Sequence, residues 1–114
     1  MRSRSGFTLI EIMITVGIIG TVVAIAVPSG MKAAEKSRQT MCINTLRLVR
    51  DAKETWALMN NTQTGDSAVV EEVNEFIKRP PQCPMDGIYT YGTVGQEPTC
   101  SLAESEGHVL PPQN

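Results

Sequence analysis

The sequence predicts an α+β chain in which one long N-terminal helix packs its back half against a second, short helix and a small antiparallel β-hairpin. Three observations predict this. From Phe7 to Val27 the chain is an apolar run in which Glu11 is the only ionisable side chain. From Met31 to Asn60 neither proline nor glycine interrupts a helical stripe of apolar residues. Beyond Pro84, two β-rich runs flank a turn containing Gly95 and Pro98.

The first element explains itself by length. A hydrocarbon core about 30 Å thick needs about 20 apolar helical residues to cross it, so the run from Phe7 to Val27 just spans a bilayer. Glu11 is out of place there, at a cost on the order of 2–3 kcal/mol even on permissive insertion scales, and it calls for a partner. Gly6 separates a basic head, Arg2 and Arg4, from the apolar run. A cut after this small residue would expose a new α-amine on Phe7, one helical turn from Glu11. In the first turn of its own helix the carboxylate is favoured by the dipole and the free N–H groups. Between two staggered helices, the amine of one would neutralise Glu11 of the other.

Residues 6 to 30, GFTLIEIMITVGIIGTVVAIAVPSG, resemble the class III (type IV prepilin) signal of type IV pilins and type II secretion pseudopilins. The resemblance implies that prepilin peptidase cleaves between Gly6 and Phe7 on the cytoplasmic side and N-methylates Phe7. It also implies assembly roles for Glu11 and the helix-bending Pro28, and a helical homopolymer built with other pilins or pseudopilins. An inner-membrane assembly platform and an ATPase are the further partners it implies. The organisation would be a leader (1–6), a transmembrane and filament-core helix (7–30), and an amphipathic helix with a small exported head (31–114). Such a chain waits in the bacterial inner membrane as a single-pass protein until it joins a periplasmic pseudopilus or a cell-surface pilus. Ala24-Ile25-Ala26 would suit an ordinary signal-peptide cut instead, but Glu11 within the apolar run and the run's length argue against it.

The 114 residues allow one domain, and about 80 of them lie outside the membrane segment, a size at which a core is marginal and staples are common. The formal charge is −2, and loss of Arg2 and Arg4 takes it to −4, one unit for each arginine. No basic stripe with interleaved aromatics suggests nucleic acid. Phe7, Trp56, Phe76, Tyr89 and Tyr91 are scattered. The three cysteines, Cys42, Cys83 and Cys100, are an odd number. A Cys83–Cys100 disulfide is expected because a hairpin signal lies between them, and on the chain-entropy model such a loop stabilises by about 3 kcal/mol. Cys42 is then a buried small apolar residue, or pairs with a head cysteine or between subunits. No Cys/His spacing suggests zinc and His108 is the sole histidine, so neither metal nor cofactor is expected.

Within the span, Gly17 and Gly20 permit close helix approach in lipid. Pro28 predicts a kink or local melting between Gly20 and Pro28, but not a stop. Cys42, Leu46, Val49, Ala52, Trp56 and Met59, with Thr45 beside them, form the stripe that carries one helix from Phe7 on to Asn60. Arg47 with Asp51 and Arg50 with Glu54 are i, i+4 pairs on the opposite face. After the turn at Gly65, Asp66 or Ser67 caps a helix from Ala68 to about Lys78, whose Val69, Val73, Phe76 and Ile77 cover Trp56. Glu71 and Glu72, as neighbours, point to different sides and suggest no acid–base pair. Pro80 to Pro84 is a stiff connector, Asp86-Gly87 a turn, Ile88–Val94 and Thr99–Leu102 the hairpin strands. Ala103 to Gly107 reads as a loop, and His108 to Leu110 as a short edge segment.

The function expected is a structural filament subunit and not an enzyme, since no nucleophile and base pair or phosphate loop is present. The alternative is a membrane-anchored binding module that does not polymerise. Pilus and secretion pseudopilus both stay open. Against the major secretion pseudopilin, the segment from Met85 to the C-terminus holds only Asp86, Glu97, Glu104 and Glu106 as acids. Nor does it show an evident carbonyl-rich loop to give calcium its six or more oxygens.

Overall fold

The computed structural model describes residues 4–112. Helix α1 spans Leu9–Met59, 51 residues. Helix α2 is Val70–Asn74, strands β1 and β2 are Tyr89–Thr90 and Thr99–Cys100, and α3 is Ala103–Glu106. The chain forms two compact units, Met1–Glu35 and Lys36–Asn114. The α+β class is therefore as expected, with the long helix, the short helix and the two-stranded antiparallel sheet all present.

In the first unit every described residue is exposed, including Ile10, Ile14, Ile18, Val22 and Ile25. This portion of α1 is long and apolar enough to cross a membrane. Pro28 lies inside the helix, and the helix runs through it without the local melting expected between Gly20 and Pro28. A proline removes only one N–H, and beside it the Ser29 hydroxyl donates to the carbonyls of Ile25 and Ala26.

The second unit is built on the stripe. Val49, Ala52, Trp56 and Ala57 pack with Val73, Ile77 and Tyr91, while Cys42 and Leu46 pack with Cys83, Cys100 and Leu110. Met59 is exposed and Lys53 is buried in its place. At about 100° per residue Met59 falls roughly 100° from Cys42, at the edge of the stripe, whereas Lys53 falls about 20° away, near its centre. Arg47 reaches Asn44 Oδ1 rather than Asp51, and Arg50 reaches Asp51 and Glu97.

The loops depart further from expectation. Helix α2 is a short Val70–Asn74 segment that reaches neither Ala68 nor Lys78, and neither Asp66 nor Ser67 caps it. The Asp66 carboxylate accepts from the Gln63 N–H, and Ser67 forms a β-bridge with Thr93. Past Asn74 the bonds tighten to i→i+3 (Phe76 to Val73, Ile77 to Asn74), which ends the helix ahead of the two prolines. Val73 and Ile77 still cover Trp56, whose Nε1 donates to Glu72 Oε2 at 2.7 Å. The strands are two residues each, paired Tyr89 with Cys100 and Thr90 with Thr99. Gly92, at φ 68, turns the chain out of the sheet. Ala103–Glu106 is helical where a loop was expected, closed by Gly107 in the left-handed region, and no strand forms at His108–Leu110 among the described residues.

Candidate functional site

The N-terminal segment is simplest locally. The Thr8 N–H donates to Glu11 Oε2 at 2.9 Å, and the Glu11 N–H donates to Thr8 Oγ1 at 3.3 Å. This reciprocal pair is a capping box, with two free donors of the first turn satisfied by one hydroxyl and one carboxylate. The Thr-x-x-Glu spacing ahead of an apolar run was the signal for it, and it supplies Glu11 with a partner inside its own chain. Phe7 is exposed at the edge of this box. Gly6 has no positive φ, and a Cβ placed on it would meet nothing within 4 Å. The fold makes no demand for glycine there, so any such demand comes from outside the chain. Pro28 is within the helix, also exposed.

In the head, the carbonyl oxygens of Tyr91, Thr93 and Gln96 converge on the ammonium of Lys53. The loop between β1 and β2 thus turns three carbonyls inward, and a lysine from α1 occupies them. Burial pushes the Lys53 ammonium down, while Glu97 and Glu54 oppose that shift. A lysine in the middle of an apolar stripe was the sequence signal for this contact.

Cys83 and Cys100 do come together, as free thiols, and Cys42 joins them. His108 joins them too: the three Sγ atoms and a ring nitrogen all lie within 4.8 Å of one another, and all four residues are buried. Wide and unequal gaps between these positions hide the cluster in the sequence, because α1, the Cys83 turn, β2 and the segment after α3 each contribute one member. Tyr89 Oη donates to Cys42 Sγ at 3.5 Å, and Cys83 Sγ lies 3.5 Å from His108 Nδ1. Burial pushes the Cys42 thiol up to about 12, with the thiols of Cys83 and Cys100 adding to it. Burial pushes Cys83 up as well, but hydrogen bonds to its sulfur from the N–H groups of Met85 and Gly87, together with those of the Cys42 and Cys100 thiols, leave it below its ordinary value. His108 Nε2 is buried with no hydrogen-bond partner among the described residues, a state that costs about 1–3 kcal/mol.

Comparison with known proteins bears on both parts of the chain. A family model described as the prokaryotic N-terminal methylation motif matches residues 1–27. The type II secretion system core protein G of Aeromonas hydrophila is 30% identical over 110 residues, covering 83% of this chain and 77% of that protein. Its counterpart from Pseudomonas aeruginosa is 30% identical over 112 residues, covering 82% and 79%. The type IV wide pilus major component PilA4 of Thermus thermophilus is 30% identical over 70 residues, 61% of this chain and 53% of that protein. No solved structure matches the chain. With the methylation motif at its start, the long apolar helix behind it and relatives that extend through the head, the chain belongs to the type IV pilin and type II secretion pseudopilin family.

Proposed function

We propose that this structural subunit serves in a type II secretion pseudopilus, after cleavage between Gly6 and Phe7 by prepilin peptidase and N-methylation of Phe7. The observation that carries the reading is the reach of the alignments. Relatives named core protein G align over 82% and 83% of the chain, head included, whereas the pilus component aligns over 61%. The subunit waits in the inner membrane with its head exported, and an assembly platform and an ATPase drive it into a polymer with its own copies and other pseudopilins.

Cleavage has a physical rationale in the exposed, unconstrained backbone at Gly6. Once Phe7 carries a free amine, Glu11 has two candidate partners, its own Thr8 N–H and the amine of a staggered neighbour. In a medium of low dielectric the second attraction is strong, though desolvation opposes much of it, so the pair sets register more than affinity. Pro28, which deprives one carbonyl of its donor, is the point where α1 can bend as subunits pack.

The test is deletion of the gene in its own bacterium, with secreted proteins, surface pili and the N-terminus of the sheared polymer all measured. Loss of exoprotein release with pili intact, and a polymer beginning at N-methylated Phe7, is the expected result. Loss of pili with secretion intact would transfer the subunit to a type IV pilus. A chain that never enters a polymer would leave the anchored binding module.

A further inference from the structure

We propose that Cys42, Cys83, Cys100 and His108 form a four-coordinate structural zinc site that ties the head to the long helix. The ligand set is the first argument. Three thiolates and one imidazole are a standard closed set for zinc, which is bound tetrahedrally at about 2.3 Å by sulfur and about 2.0–2.1 Å by nitrogen. Around such an ion, sulfurs stand about 3.8 Å apart and a sulfur and a nitrogen about 3.6 Å apart. The observed 3.5 Å from Cys83 Sγ to His108 Nδ1, and the 4.8 Å limit over the whole set, fall at that scale.

The shell around the sulfurs is the second argument. The Cys83-Pro84-Met85-Asp86-Gly87 segment folds back over its own sulfur: the Asp86 N–H bonds the Cys83 carbonyl at 3.1 Å, and Asp86 itself takes φ 60. This turn brings the backbone N–H groups of Met85 and Gly87 to Cys83 Sγ, where they serve as outer-shell donors to the sulfur. Gly87 is there because nothing larger fits. A Cβ on it would lie 2.5 Å from Cys100 Sγ and 3.1 Å from Cys83 Sγ. Tyr89 donates a further bond to Cys42 Sγ. Outer-shell donors of this kind hold ligands in place and tune the metal.

A single Cys83–Cys100 disulfide is the competing chemistry, and it accounts for less. It would consume two sulfurs and leave a thiol and an imidazole buried at the same point. Zinc uses all four groups, and binding releases the thiol protons to solvent with no oxidant required. Carboxylate and carbonyl oxygens suit calcium or magnesium, so a soft, sulfur-rich set excludes those ions. The site does not rest on polymerisation or on processing, since its four residues all belong to the second unit.

The experiment uses the full chain, extracted from membranes in detergent without chelator or reductant under anaerobic conditions. Elemental analysis is expected to give one zinc per chain, and exchange for cobalt to give the near-ultraviolet thiolate charge-transfer band and the visible bands of a tetrahedral site. All three thiols should resist alkylation until a chelator removes the metal. His108→Ala and Cys42→Ser should each lose stoichiometric zinc. Should either fail to fold, Tyr89→Phe keeps all four ligands, and is expected to bind zinc with roughly 10–100-fold lower affinity. A metal-free chain, lighter by the mass of two hydrogens and yielding a linked Cys83–Cys100 peptide, would overturn the proposal. So would wild-type zinc affinity in both His108→Ala and Tyr89→Phe.

Discussion

Lys53 and Gly87 each have surroundings that admit one residue type. Lys53 meets three carbonyls at once, so Lys53→Met keeps the stem's packing but strands the acceptors of Tyr91, Thr93 and Gln96. Thermal unfolding of the head is expected to register a loss of about 2–4 kcal/mol, and an unchanged midpoint would show that water replaces the ammonium at no cost. Gly87→Ala drives a methyl group into the sulfurs, and an overpacking penalty of about 1–3 kcal/mol is expected in the same measurement. Gly6 is the opposite case, a glycine that the fold does not need. Gly6→Val should leave stability untouched and full-length precursor in the membrane, read by mass of the N-terminal peptide. Processed chain beginning at Phe7 would remove glycine from the requirement.

Among the elements, α1 holds two kinds of helix in one unbroken run. Its first turn is fixed by Thr8 and Glu11, its back half by burial. Thr8→Ala removes one side of the capping box and is expected to cost about 1 kcal/mol, seen as faster amide exchange in the first turn in detergent. Glu11→Leu removes the other side together with any bond to a neighbour's amine. It should insert at least as well as the wild type, be cleaved, and yet give little filament. The measurement is polymer yield beside processed monomer, and wild-type yield would take assembly away from this carboxylate. Thr8→Ala is the control that separates capping from assembly, because it leaves the Glu11 side chain in place.

For the whole molecule, the division into two units predicts that damage to one need not reach the other. Trp56→Ala opens the centre of the cluster formed with Val73, Ile77 and Tyr91, at a cost of about 3–5 kcal/mol. A head with so small a core should become protease-sensitive, while the amount of chain in the membrane fraction stays constant. Loss of the protein from the membrane would mean that the head is needed for insertion.

Much of this was legible in the chain because it depends on neighbours in sequence. The apolar run from Phe7 and the stripe from Cys42 to Trp56 act within one or two helical turns, where spacing alone sets the outcome. The capping box at Thr8 and Glu11 is equally local, but only the dipole at Glu11 was taken from the sequence, and not the Thr-x-x-Glu pairing. The strand lengths, the burial of Lys53 and the exposure of Met59 were not local. They follow from which side of α1 the β1–β2 loop covers, and a helix's sequence shows its stripe but not the stripe's cover. The sulfur cluster is furthest from the sequence. Four residues spread over Cys42 to His108 share one point only because the helix, the Cys83 turn, β2 and the C-terminal segment pack together, and no spacing in a linear chain encodes that convergence. The sequence by itself determined a membrane-length helix with an amphipathic continuation and a family signal. Only the tertiary structure decided which polar and ligand groups meet beneath the head, because such meetings are set by long-range packing and not by periodicity.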